Sequence, residues 1–139
     1  MAYSIQFPET GNITEFRLRR VVTLEDISRL NDGLYFSPDW RKGMNCLGII
    51  EAGTDLSEIS PEVMRDGLRR EAERLRTVRG PDFKMAWVIE DAHNLPIVQL
   101  WAAMPFLSGL YELRVFREEE EARAWLVEFD HGQGGQAAE

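Results

Sequence analysis

The sequence predicts a single α/β domain, a mostly parallel mixed sheet of about five strands covered by about four helices. Two observations carry this. Residues 111–126, YELRVFREEEEARAWL, read as a strand running into a helix: Tyr111, Leu113 and Val115 alternate with Glu112 and Arg114 at a strand's period, then Ala122, Trp125, Leu126 and Phe129 follow at helical spacing. Glu118, Glu119, Glu120 and Glu121 stand where the positive end of the helix dipole stabilises negative charge. In addition, the short apolar runs CLGIIEA (residues 46–52) and FKMAWVIE (83–90) have the character of central strands covered on both faces, and a helical pattern lies between them.

The elements follow in order. Residues 4–7 and 15–22 read as extended, and Pro8 to Asn12 supplies the turn residues of a hairpin. Thr23 offers an N-cap to LEDISRLNDGL, with Asp26 placed to complete a capping box and Leu24, Ile27, Leu30 and Leu34 on one stripe; this helix is expected to end near Gly33. In the connection that follows, Tyr35, Phe36 and Trp40 are expected to pin the chain to the core. Gly53 ends the first apolar run. Ser60 as cap and Pro61 at the first helical position open a helix to residue 78, with Val63, Met64, Leu68, Ala72 and Leu75 inward. Gly80 and Pro81 stop it. Asn94 and Pro96 open a third helix, closed near Pro105. Residues 1–130 thus make one domain, and 131–139, HGQGGQAAE, with nothing to bury, read as a flexible tail.

Composition narrows the function classes. A chain of 139 residues suits one core, and 44% hydrophobic with 29% charged residues is the balance of a globular protein. A net charge of −8 disfavours nucleic acid and anionic membranes as partners. No apolar run approaches the roughly 20 residues of a membrane-spanning helix, and the N-terminus lacks a secretory pattern, so a cytoplasmic protein, not integral to a membrane, is expected. Lone Cys46, inside an apolar run, reads as a buried thiol. Arginine far outnumbers lysine, Lys42 and Lys84 being the only lysines, as GC-rich bacterial genomes favour.

Catalytic signatures are absent from the sequence. His93 and His131 are the only histidines, neither at a metal-ligand spacing, so no metal is expected. No GxSxG elbow and no glycine-rich phosphate loop follows a strand, so neither a hydrolase nor a nucleotide cofactor is implied. Asp91, His93 and Asn94 follow a strand at the edge where open α/β sheets bind ligands, and an enzyme reading would need a cleft gathering His93, Asp91 and Glu90. The arginines of residues 61–78 could face phosphates, but Asp66 with Arg70, Glu71 with Arg74 and Glu73 with Arg76 are spaced to pair along a solvated face.

Residues 95–107, LPIVQLWAAMPFL, carry Gln99 as their one strongly polar side chain. A helix that is apolar all round must bury its outer side too: against a partner subunit, against an apolar ligand, beneath a covering loop such as residues 35–40, or wholly within the core. Leu95, Ile97, Val98, Trp101, Met104 and Phe106 are therefore the candidate partner or apolar-ligand surface.

Together, VVTLEDISRL after a first strand, CLGIIEA with a helix from Ser60, KMAWVIED followed by a helix, and the ending RVFREEEEARAWL form a pattern that resembles the SpoIIAA-like branch of the STAS superfamily. The related fold also occurs in CRAL-TRIO lipid carriers. In the phosphorylated anti-anti-sigma proteins the resemblance implies an acceptor serine in a D-S-S-G-like turn; Ser60 matches the acceptor, with Ile59, Pro61 and Glu62 around it. The resemblance implies a non-catalytic regulatory or ligand-sensing module acting by protein association, as a homodimer or with another protein. A carrier of a small apolar ligand is the alternative.

Overall fold

The computed structural model describes residues 2–79, 83–103 and 112–128, apart from the side chains of Ala72 and Leu75. Five strands form one sheet in chain order: β1 (Tyr3–Gln6), β2 (Ile13–Leu18), β3 (Asn45–Ile50), β4 (Lys84–Ile89) and β5 (Glu112–Phe116). β1 and β2 make the antiparallel hairpin, and β2 through β5 run parallel. Their connections carry α1 (Leu24–Tyr35), α2 (Pro61–Arg79) and, after a 3-10 turn at Ala92–Asn94, α3 (Leu95–Ala102); α4 (Glu119–Val127) follows β5. The α/β class and mixed, mostly parallel sheet are as the sequence predicts.

Local chemistry accounts for the helix starts. Thr23 Oγ1 accepts from the Asp26 amide at 3.1 Å, and Asp26 Oδ2 accepts from the Thr23 amide at 2.9 Å, completing the box. Ser60 Oγ accepts from the Val63 amide at 3.2 Å ahead of Pro61. The ends differ from expectation. α1 runs to Tyr35, two residues past Gly33. β2 starts at Ile13 and stops at Leu18, because Arg20 takes a left-handed backbone, φ 63°, which breaks the extended run. Gly53, φ 83°, ends the β3 segment in a conformation that glycine adopts without strain.

Strands advancing one way across the sheet leave its faces unequally covered. Leu30, Leu34, Met64, Val98 and Trp101 from α1, α2 and α3 pack on the face presenting Phe16, Leu18, Cys46, Ile50, Met85 and Ile89. The opposite face gathers Leu47, Ile49, Ala86 and Val88 beneath Ala122, Trp125 and Leu126 of α4. Beside this apolar patch, charged groups of β2 and α4 meet on the same face: Arg17 pairs with Glu15 at 3.0 Å and with Glu51 at 3.4 Å, and Arg123 of α4 holds both Glu15 and Glu119. A paired network is the form in which half-buried charge is tolerated over an apolar sheet.

Among the surface pairs, Glu71 with Arg74 (2.8 Å) and Glu73 with Arg76 (3.7 Å) form as their spacing predicts, whereas Asp66 pairs with Arg65 at 3.7 Å instead of Arg70. Arg74 also reaches Asp32 of α1 at 2.8 Å, tying α1 to α2. Of the aromatics expected to pin the segment after α1, Tyr35 is buried and meets Trp40 edge-on at 5.0 Å, and Trp40 Nε1 donates to the Val78 carbonyl at 3.1 Å. That segment therefore docks on the end of α2. Phe36 corrects the expectation: it is 73% exposed, its ring beneath the Arg74 guanidinium. Cys46 is buried and free, and burial pushes its thiol pKa up.

Candidate functional site

Two places bear on function: the carboxyl ends of β3 and β4, and a cleft between the sheet and the three-helix layer. At the strand ends the structure does bring Glu90, Asp91, His93 and Asn94 together, and it engages them with backbone. Glu90 Oε1 accepts from the Ala52 amide at 3.1 Å, and the Asp91 carboxylate accepts from the His93 amide at 3.0 Å and the Gly53 amide at 3.3 Å. Asn94, 3% exposed, donates through Nδ2 to the Thr54 carbonyl at 2.9 Å. The result is a brace between the loop after β3 and the turn after β4. Amides of His93 and Gly53 hold the Asp91 carboxyl below the usual carboxylate range, and Ser57, through its side chain and then its amide, does the same for Asp55. The His93 ring is exposed at the rim. Strand order also matters here: ligands favour the point where the order of parallel strands reverses, and β2 to β5 advance without reversal.

The apolar helix divides differently from its sequence reading. Val98 and Trp101, 0% and 2% exposed, turn inward and are not part of the outer surface of the helix. Leu95 and Ile97 are half-buried, and the outer side carries Pro96, Gln99 and Leu100, the last 55% exposed. Met104 and Phe106 lie outside the described residues. With nothing but Gln99 to make it polar, the outward side of α3 is an apolar surface over a helix of eight residues.

Beneath α3, the inner face of the helical layer does not close completely on the sheet. A partly enclosed cleft of about 70 Å³ remains, with Phe16, Met64, Met85, Trp87 and Trp101 in its wall and Arg79 at its lining. An aromatic row builds this wall: Phe16 meets Trp87 edge-on at 5.3 Å, and Trp87 meets Trp101 at 6.2 Å. The row depends on Gly48 in β3, where a Cβ would stand 2.7 Å from both the Phe16 and Trp87 rings. Arg79, 6% exposed, has its guanidinium 5.0 Å from the Tyr35 ring centroid and 4.8 Å from that of Phe83. The indole nitrogen of Trp101 is buried without a hydrogen-bond partner. Sequence reasoning singled out Trp101 but missed Phe16, Trp87 and Arg79 as site residues. The signal available was the isolated glycine inside CLGIIEA, which marks a close approach of other groups to the backbone.

The chemistry available in the cleft is that of a largely apolar wall, with Asn31 and Arg79 as its polar lining residues. Among the described residues no group of three His, Cys, Asp or Glu is arranged to hold a metal ion, and no helix is long and apolar enough to cross a membrane.

The class these observations define is a SpoIIAA-like α/β fold. A solved structure from Shewanella loihica PV-4, an uncharacterized protein from the DUF3478 family with a SpoIIAA-like fold, superposes with a TM-score of 0.51 over 90% of this chain and 94% of that one, at 14% identity. At that identity the likeness is one of fold. No protein-family model matches the chain, and no curated protein matches it.

Proposed function

We propose that the protein is a non-catalytic, cytoplasmic regulatory module that senses a small ligand in the cleft and acts by association with a second copy of itself through the outer side of α3. The observation that carries this reading is the placement of Trp101 and Leu100 on one short helix. Trp101 lines the cleft while the adjacent Leu100 is 55% exposed, so a group entering the cleft bears on the same eight-residue element that presents the apolar surface. A ligand that binds one arrangement of Trp101 better than another shifts the population of that arrangement and, with it, the position of Leu100. The occupation of Glu90 and Asp91 by backbone amides supports a non-catalytic reading of the strand ends. The lipid-carrier alternative gains no comparable support, since about 70 Å³ is small beside the roughly 300–1,000 Å³ of pockets that engulf drug-sized ligands.

Light scattering on the wild type and on Leu100→Asp tests the association. A dimer that becomes a monomer on substitution is expected, with the fold of the variant checked by circular dichroism. A wild-type monomer at all concentrations overturns the proposal.

A further inference from the structure

We infer that the cleft is a receptor site for a small, neutral hydrophobe built on a single flat ring. This deepens the ligand-sensing reading and rests on it. The first reason is that the cleft is held open. Phe16 and Trp87 meet edge to face at 5.3 Å where Gly48 has no side chain, and a single added carbon there would stand 2.7 Å from both rings, so neither ring has room to settle further onto β3. Trp87 in turn meets Trp101 of α3 at 6.2 Å. A wall of rings wedged in this way does not collapse into the space beside it. The atoms lining an unfilled space forfeit dispersion contacts, and an occupant restores them.

Charge is the second reason, and it selects by its absence. No aspartate or glutamate is in the described lining of the cleft. The one cation there, Arg79, has its guanidinium against the rings of Tyr35 and Phe83, which are not part of the cleft wall, so its charge is engaged elsewhere. Asn31, the other polar lining residue, is uncharged and half-buried. An ionised ligand would leave water for a wall that offers it no free counter-charge, and a charge buried without a partner is costly. A neutral apolar molecule meets no such barrier, and its entry removes apolar surface from water on both sides.

Wall chemistry and size define the remainder of the ligand. The wall combines the aromatic row with the thioethers of Met64 and Met85. Both favour an aromatic partner over a saturated one of similar size, the rings through the quadrupole of the π system and the sulfurs through their polarizability. A volume of about 70 Å³ is roughly half that of an engineered cavity of about 150 Å³ that takes up benzene whole. Because this cleft is only partly enclosed, its lining running from buried Phe16 and Leu30 to half-buried Ile27 and Leu68, a flat ring can enter edge first and keep its other edge at the mouth. A fused pair of rings or a long acyl chain would leave most of its surface in water.

Nuclear magnetic resonance titration of the full-length protein, labelled at its methionine methyl groups, tests the assignment, with benzene as probe, cyclopentane as the saturated ring, benzoate as the charged counterpart and indole as the fused pair. Saturable benzene binding is expected with a Kd of about 1 mM or tighter, at least about threefold tighter than cyclopentane and about tenfold tighter than benzoate. The Met64 and Met85 methyls are expected to shift, and that of Met44, buried but outside the cleft lining, to stay in place. Absence of saturable benzene binding, cyclopentane or benzoate within these margins, tighter binding of indole, or an equal shift at Met44 would each overturn the inference. Every comparison is made on the wild type, so no folding defect enters the result. Light scattering in the same samples separates the two readings: a protein that binds no ring yet dimerises through Leu100 loses the receptor assignment and keeps the association surface, whereas one that binds benzene as a monomer keeps the receptor and loses the association.

Discussion

Lys84, the first residue of β4, donates through Nζ to the Trp125 carbonyl at 2.9 Å, and the same ammonium lies 4.9 Å from the centroid of the Trp125 ring. A second bond at 3.1 Å runs from Nζ to the Glu128 carbonyl. The last carbonyls of a helix lack intrahelical partners and sit at the negative end of its dipole, so a buried ammonium there is satisfied by hydrogen bonding and by charge. Asn45 adds to the arrangement, its Nδ2 donating to the Leu126 carbonyl at 3.0 Å and its Oδ1 accepting from the Lys84 amide at 2.9 Å. One of the two lysines of the chain thus fastens α4 to the sheet. Lys84→Met keeps most of the side-chain volume and removes the donor, and is expected to lower the unfolding free energy by about 1–3 kcal/mol. Urea denaturation measures it; an unchanged midpoint would show that the helix end is satisfied without Lys84.

Trp125, 4% exposed, sits with its ring 5.8 Å from that of Phe116 and supplies much of the apolar cover over Leu47, Ala86 and Val88. Because α4 is the one described helix on this face, nothing else fills the space if the indole is removed. Trp125→Ala is expected to cost about 3–5 kcal/mol, enough to abolish soluble folded protein. Val127→Ala, at a residue 68% exposed in the same helix, serves as the neutral control in thermal melts. Equal melting of the two variants would contradict this packing.

Gly48→Ala places a methyl 2.7 Å from two aromatic rings that are themselves packed edge to face. Overpacking of this kind costs about 1–3 kcal/mol. It also displaces Phe16 and Trp87, both of which line the cleft, so near-ultraviolet circular dichroism of the tryptophans is expected to change along with the melting temperature. A variant with wild-type stability and spectrum would mean that the rings yield freely.

Ser60 accepts from the Val63 amide as a cap, and the residue is half-buried. Ser60→Ala is expected to lower stability by about 1 kcal/mol. As a phosphoacceptor it is expected to be poor, because Pro61 fixes the backbone at the start of α2 and Glu62 adds like charge beside an incoming phosphate. Stoichiometric phosphate on Ser60 in protein isolated from its native cell, read by mass spectrometry, would refute that expectation.

Asp91 and Asp55 share a sign of pH dependence. Each carboxyl pKa is depressed in the folded state, so each contributes stability that is fully present above the unfolded aspartate value, about 3.9, and is lost as the pH falls through the lower folded value. The melting temperature is expected to fall with pH in the acid range below about 4, and Asp91→Asn is expected to flatten part of that limb. An acid limb unaltered in the variant would remove Asp91 from the account.

Much of the chain was legible residue by residue. Thr23 with Asp26, Ser60 with Pro61, and the period-two alternation through Leu113 and Val115 each act within about four residues, and each appears where the sequence places it. The errors lie where a distant contact intervenes. Arg20 leaves the extended conformation where its carbonyl accepts from the Asp55 amide at 2.7 Å, ending β2 early, and α1 runs past Gly33 to seat Tyr35 against Trp40.

The elements, their caps and their class were therefore determined by the sequence alone, because helix and strand signals are local. Which side of α3 faces inward, which rings line the cleft, and what satisfies the end of α4 were decided only by tertiary packing. Trp101 and Leu100 are both apolar neighbours in one helix, and nothing local distinguishes the core residue from the exposed one. Lys84 and the Trp125 carbonyl are 41 residues apart, and Arg123 and Glu15 are 108 apart. Such pairs meet only once parallel strands have closed long loops at an entropic cost repaid by burial of the shared core, and no spacing rule in the sequence records where those loops bring their ends together.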